Sequence, residues 1–179
     1  MTADPRIAAA ATSGAAFLAS ILAANWLTTN YGFVPVGFGL EATAGTYLAG
    51  ACFVFRDAVH DTAGRWASLA VIAAGGLLSF LVADPFIALA SAVAFTVSET
   101  VDLAVYTPLR SRGYIRAAAA SNLAGSFVDT VLFLWIAGFF TWTAVPGQLV
   151  GKAWITVAVV ATVGVIRALV RQPKFAAGA

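Results

Sequence analysis

The chain has 179 residues, of which 61% are hydrophobic and only 10% charged, and its mean hydropathy is +0.90. So few charges cannot cover a water-facing surface, because soluble domains carry about a quarter charged residues. The net charge of +2 comes from basic residues at segment ends, which excludes a nucleic-acid footprint, and the single cysteine, Cys52, excludes an internal disulfide.

In chain order, six apolar stretches approach the ~20 residues that a helix needs to cross a bilayer. They span about Ile7–Leu27, Leu40–Val59, Trp66–Ala83, Phe86–Leu109, Ala117–Phe140 and Val150–Val170. The first is rich in alanine, and small residues let helices approach closely in lipid. Its segment Ala8–Ala24 has the apolar character of a signal-peptide core. Its basic flank is Arg6 alone, beside Asp4, however, and the apolar run is longer than such cores, so it is expected to remain as a membrane helix. The link Tyr31–Gly39 (YGFVPVGFG) is apolar but rich in Gly and Pro, the composition of an interfacial or re-entrant segment. Glu41, Arg56 and Asp57 crowd the ends of the second stretch.

Charge placement then orients the chain. Arg6, Arg56, Arg65, Arg110, Arg112, Arg116, Arg167, Arg171 and Lys174 fall on one side of a six-helix path, and Lys152 alone on the other. The excess of Lys and Arg on cytoplasmic flanks puts both termini in the cytoplasm. The expected fold is an all-α integral membrane protein. It is one transmembrane domain over residues 1–179, a bundle of six transmembrane helices.

Ionisable groups at membrane depth are costly, which makes them functional candidates. Glu99, Asp102 and Tyr106 follow at i, i+3 and i+7, on one helical face. Asn122, Ser126 and Asp129 follow at i, i+4 and i+7, also on one face. Two such stripes on consecutive antiparallel helices are able to line one cavity. Gly125 between them admits a close backbone approach. Asn25 adds an amide within the first stretch, and Lys152 a cation near the external end of the last. Arg56, Asp57, His60 and Asp61 gather at the cytoplasmic mouth, where they form a gate or a solvated ion-pair patch. A second reading stays open: the acids pair with Arg56, Lys152 or His60 and only hold the bundle together. No phosphate loop, serine elbow or zinc helix motif occurs, and His60 alone makes no metal site. Neither a cofactor nor an enzymatic activity is therefore expected.

Three stretches also carry a family resemblance: FRDAVHDTAGR (55–65), ETVDLAVYTPLRSR (99–112) and ASNLAGSFVDTVLF (120–133). Across about Asn25–Lys152 the chain resembles the VUT family of vitamin uptake transporters, which includes the YhhQ-type queuosine precursor transporters. The family's recurring acidic positions fall on Asp57, Asp102 and Asp129, with a polar position at Glu99; Asn122 and Lys152 also match. The resemblance implies a bacterial inner-membrane protein of six helices that imports 7-cyano- or 7-aminomethyl-7-deazaguanine for modified tRNA. A carboxylate can accept the adjacent N1–H and 2-amino donors of such a base, and Asn122, Asn25 or Lys152 can reach its carbonyl. Phe127, Tyr106 and Phe95 offer rings for stacking.

The expected function is therefore import of a deazapurine by alternating access, with lipid as the surrounding partner and no nucleic acid bound. A homo-oligomer stays open. The competing reading is a substrate-binding subunit of an energy-coupled transporter, which a helix-docking first segment would suit. A lipid-directed membrane enzyme lacks a nucleophile–base pair or metal set. A purely structural assembly protein does not explain acids at membrane depth.

Overall fold

The computed structural model describes residues 5–171, and Lys174 lies outside the described residues. The chain forms α1 (Pro5–Tyr31), β1 (Phe33–Gly37), β2 (Leu40–Thr43), α2 (Thr46–Ser79), α3 (Pro85–Leu109), a 3-10 turn (Arg110–Arg112), α4 (Tyr114–Ile136) and α5 (Ala144–Arg171). Arg6–Tyr31 and Pro85–Leu109 are each long and apolar enough to cross a membrane. This is a mostly helical membrane protein.

The described residues form five helices where six were expected, because the second and third expected segments join in α2. Its 34 residues would reach roughly 51 Å if straight, at 1.5 Å per residue. They are not straight. Gly64 has φ 82° and ψ 174°, a non-helical conformation that only glycine adopts freely. The two arms on either side of it return to the same end of α1. Gly45, just before the first arm, donates its N–H to Thr28 Oγ1 at 3.1 Å, and Ser79 at the end of the second accepts from Asn25 Nδ2 at 2.8 Å. Gly14, nearer the start of α1, faces Val71 of the second arm.

The link after α1 also departs from expectation. Tyr31–Gly39, expected as an interfacial or re-entrant link, ends α1 and forms β1 with the hairpin turn, and Leu40–Thr43 is strand and not the start of a helix. Strands β1 and β2 pair antiparallel, with Phe33 opposite Thr43 and Pro35 opposite Glu41. A two-stranded sheet tolerates Pro35 because every strand in it is an edge. The turn needs positive φ at Gly37, Phe38 and Gly39, which a helix cannot supply. The hairpin lies on α5, where a Cβ at Gly147 would collide with the Glu41 carbonyl. Trp154 Nε1 donates to the Val36 carbonyl at 3.2 Å, and the Trp154 ring stacks on Phe38.

Between the hairpin end and the Gly64 end, Phe17, Ile21, Cys52, Ile72 and Phe95 make a core from α1, both arms of α2, and α3. Phe95 stacks on Phe53 with centroids 5.0 Å apart and meets Phe17 edge-on at 5.6 Å. Exposed tryptophans sit toward both ends of the bundle, Trp26, Trp135 and Trp142 on one and Trp66 on the other. Amphipathic indoles favour the membrane–water interface.

Candidate functional site

Two buried ion pairs organise the interior. Lys152 on α5 donates through Nζ to Asp129 Oδ2 on α4 at 2.5 Å and to Thr130 Oγ1 at 2.8 Å. Arg56 on the first arm of α2 donates through Nη1 to Glu99 Oε1 on α3 at 2.6 Å, and its Nε lies 3.2 Å from Asp57 Oδ1. All four principal partners are at most 7% exposed. The pairing alternative therefore describes Glu99 and Asp129. Arg56 belongs to the interior and not to a solvated patch, and Lys152 is not reaching for the membrane surface. Charges leave water only when a partner and further hydrogen bonds compensate, and Thr130 supplies one such bond.

The two polar stripes do not share a single cavity. Toward the hairpin lies a narrow cavity of about 40 Å³. Ile21, Ala24, Ala49, Phe95 and Phe133 give it apolar walls, and Asn25, Thr28, Asp129, Gln148 and Lys152 give it polar groups. That space holds a few waters and would have to widen to take a purine-sized ring, but apolar walls with a few polar groups are the lining typical of small-molecule sites. Toward Gly64 lies a polar vestibule of about 230 Å³, lined by Arg56, Asp57, His60, Asp61, Asp102, Tyr106 and Asn122. A third recess between the first arm of α2, α4 and α5 includes Asp57, Asn122, Ser126 and Lys152. Each stripe spans seven residue steps, roughly 10 Å along its helix at 1.5 Å per residue, so its ends lie at different depths. Glu99 faces Arg56 while Asp102 and Tyr106 face the vestibule. Asp129 faces the cavity, Asn122 the vestibule and Ser126 the third recess.

Glycines set the spacing. Gly125 brings α4 against α3, where an added Cβ would stand 3.3 Å from the Ser98 carbonyl and 3.4 Å from Asp102 Cβ. Gly50 does the same for α2 and α5, since a Cβ there would meet the Lys152 carbonyl at 2.6 Å.

Sequence reasoning missed a polar cluster at the hairpin side of the cavity. Gln148 Nε2 donates to Thr43 Oγ1 at 2.8 Å, Thr43 and Thr46 hydroxyls lie 3.0 Å apart, and Thr46 Oγ1 donates to Gln148 Oε1. Its only sequence signal was a lone amide in the apolar run VPGQLVG. Asn25 does line the cavity, but its Nδ2 is engaged by Ser79. Phe127, considered for stacking, is 45% exposed and does not line the cavity; Phe95 and Phe133 do. Among the described residues no group of three or more His, Cys, Asp or Glu side chains is arranged to hold a metal ion.

Comparison with known sequences bears on what this arrangement serves. The sequence profile of a family described as "Putative vitamin uptake transporter" matches residues 80–170. That region contains Glu99, Asp102, Asn122, Asp129 and Lys152, whereas FRDAVHDTAGR at 55–65 lies before it. No curated protein and no solved structure matches the chain. The match covers half of the chain and takes in α3, α4 and nearly all of α5; the chain belongs to the vitamin uptake transporter family.

Proposed function

We propose that the protein is a bacterial inner-membrane importer of a 7-deazaguanine queuosine precursor or a related purine-like base, working by alternating access. The observation that carries this reading is the Asp129–Lys152 pair on the wall of a largely apolar cavity. It sets an anionic acceptor beside a cationic donor. A guanine-type edge presents the reverse, two adjacent N–H donors beside a carbonyl acceptor. Asp129 accepts from N1–H and the 2-amino group, Lys152 donates to the carbonyl, and Phe95 and Phe133 pack against the ring. The separate vestibule, lined by Asp102, Tyr106 and Asn122 and flanked by Arg56, Asp57 and His60, is the opposite face of the same path. Glu99, paired to Arg56, closes the region between them, and Ser126 and Asn122 line the recess that adjoins Lys152. A transport cycle needs this kind of arrangement, with access from two sides and a barrier between.

The two arms of α2 count as two crossings in this reading, which makes six transmembrane segments with both termini cytoplasmic. The basic-residue asymmetry supports it, since Arg65, Arg110, Arg112 and Arg116 cluster at the Gly64 end. Reporter fusions near Gly64 and within Ser111–Gly113 should give cytoplasmic signals, and fusions at Phe38 or Trp142 external ones. A cytoplasmic signal at Phe38 refutes the six-crossing path.

Uptake of labelled deazaguanines by vesicles holding only this protein tests the function. Saturable uptake, weakened for an analogue without the 2-amino group, is the expected result. Uptake that requires a co-purified ATPase would replace it with the energy-coupled subunit.

A further inference from the structure

One turn from the apolar core, toward Gly64, the bundle becomes polar. Arg56 follows Cys52 by one turn, Glu99 follows Phe95 by one turn, and Ser68 precedes Ile72 by one turn. Residues four apart share a helical face, and the directions of the helices put all three on the same side of the core. Asp102 stands one further turn along the Glu99 face and lines the vestibule. Arg56, Ser68 and Glu99 are 5%, 2% and 5% exposed. Two buried atoms here, Ser68 Oγ and Asp102 Oδ1, form no hydrogen bond, and two more form none although an opposite charge is near: Glu99 Oε2 lies 2.6 Å from Arg56 Nη1, and Arg56 Nε lies 3.2 Å from Asp57 Oδ1. Buried polar atoms are seldom left in that condition. Their demands are complementary. The guanidinium N–H can only donate, the two ionised carboxylate oxygens can only accept, and the hydroxyl can do either. One water donates twice and accepts twice.

We propose that this layer is a proton site: a bound water joins Glu99 Oε2 to Asp102 Oδ1, with Ser68 and Arg56 holding it, and the proton it relays is coupled to transport. The coupling half rests on the transporter reading above; the proton site does not. The transfer balances as follows. Neutral Glu99 gives its Oε2 proton to the water oxygen, and the water gives a different proton to the Asp102 carboxylate. Glu99 becomes a carboxylate facing Arg56, Asp102 becomes a neutral acid facing the vestibule, and the water is unchanged. The vestibule then exchanges that proton with the Gly64 side.

The surrounding charges favour a proton over a metal cation. Arg56 Nη1, 2.6 Å from Glu99, repels a sodium ion. The first arm of α2 also presents Asp57, His60 and Asp61, and α3 itself presents Tyr106. From α4 come the uncharged Ser121 and Asn122, while Asp129, already bonded to Lys152 of α5, lies on the cavity side. The only charged residue of α1 is Arg6, in its first turn.

Infrared difference spectra of the purified full-length protein, titrated from about pH 5 to pH 8, test the site without any substrate. The expected result is a protonated-carboxyl C=O band that titrates, shifts in heavy water and disappears in both Glu99→Gln and Asp102→Asn. Asp57→Asn should keep it, and Ser68→Ala should displace it. Should Glu99→Gln not fold, Asp102→Asn, on the vestibule wall, carries the test. No titrating band in the wild type, or one that survives in Asp102→Asn, overturns the proton site. Vesicles loaded with pH dye and given labelled 7-deazaguanine test the coupling. Proton movement with uptake in the wild type, and uptake insensitive to a pH gradient in Asp102→Asn, are expected. Uptake driven by a sodium gradient and not by a proton gradient overturns it. An intact infrared band with no deazaguanine uptake leaves the proton site standing and sinks the substrate reading alone.

Discussion

Lys152→Ala should unfold the protein far more readily than an ordinary surface change, and Asp129→Ala should do nearly the same. Each deletion leaves the other charge buried with no ionic partner, at a cost of about 3–5 kcal/mol. Lys152 is 5% exposed and Asp129 7%, so water does little to screen what remains. The double variant Asp129→Asn with Lys152→Met removes both charges and keeps similar volume. Its stability should return close to the wild type, since neutral replacements of a buried pair are often tolerated. Binding should not return. Asparagine offers one carbonyl oxygen where the base presents two donors, and methionine gives its carbonyl nothing. The expected loss is about 1–3 kcal/mol, or roughly ten- to a hundred-fold in affinity. Thermal melts and titration with 7-cyano-7-deazaguanine separate the two effects. Full affinity in the stable double variant would remove Asp129 and Lys152 from the binding site. It would leave them as the fastening between α4 and α5.

A single methyl at Gly50 should damage both stability and binding. The added Cβ would collide with Ile155 and sit 2.6 Å from the Lys152 carbonyl, and a backbone carbonyl cannot turn aside as a side chain can. Thr156 Oγ1 also donates to the Gly50 carbonyl at 3.3 Å, which ties α5 to this spot. The first arm of α2 and α5 must separate, and the separation begins at the residue that holds Asp129. Overpacking of this kind costs about 1–3 kcal/mol, which for a chain of this size lowers the melting temperature by roughly 2–12 °C. Gly14→Ala is the matched control, because its Cβ would meet only the Val71 side chain at 3.6 Å, an ordinary contact. Equal melting temperatures for Gly50→Ala and Gly14→Ala would show that the α2–α5 approach is not tight.

The amino-acid sequence by itself determined that this chain lives in lipid, roughly where its helical segments lie, and which way their charged ends are biased. Those properties follow from sums over contiguous residues. Twenty apolar side chains partition into hydrocarbon whatever their neighbours are, and Arg110, Arg112 and Arg116 mark an end without reference to the rest of the fold. The residues that matter at depth were legible for a similar reason: Glu99, Asp129 and Lys152 are conspicuous because charge is expensive there. Arg56, Lys152 and His60 were legible as candidate partners, but which acid each one takes was not. Arg56 reads from the chain as the flank of a link, and only the rotation of α2 against α3 turns it toward Glu99. Gln148, Thr43 and Thr46 meet across more than a hundred residues, and no periodicity announces it. Leu40–Thr43 is apolar enough for a helix, yet it pairs with Phe33–Gly37 because the hairpin satisfies backbone groups while lying on Gly147 and Gly151 of α5. The tertiary structure alone decided that the two polar stripes do not serve one cavity. A helical face specifies direction around an axis, whereas depth and partner are fixed by where the neighbouring helix allows close approach, here at Gly50 and Gly125.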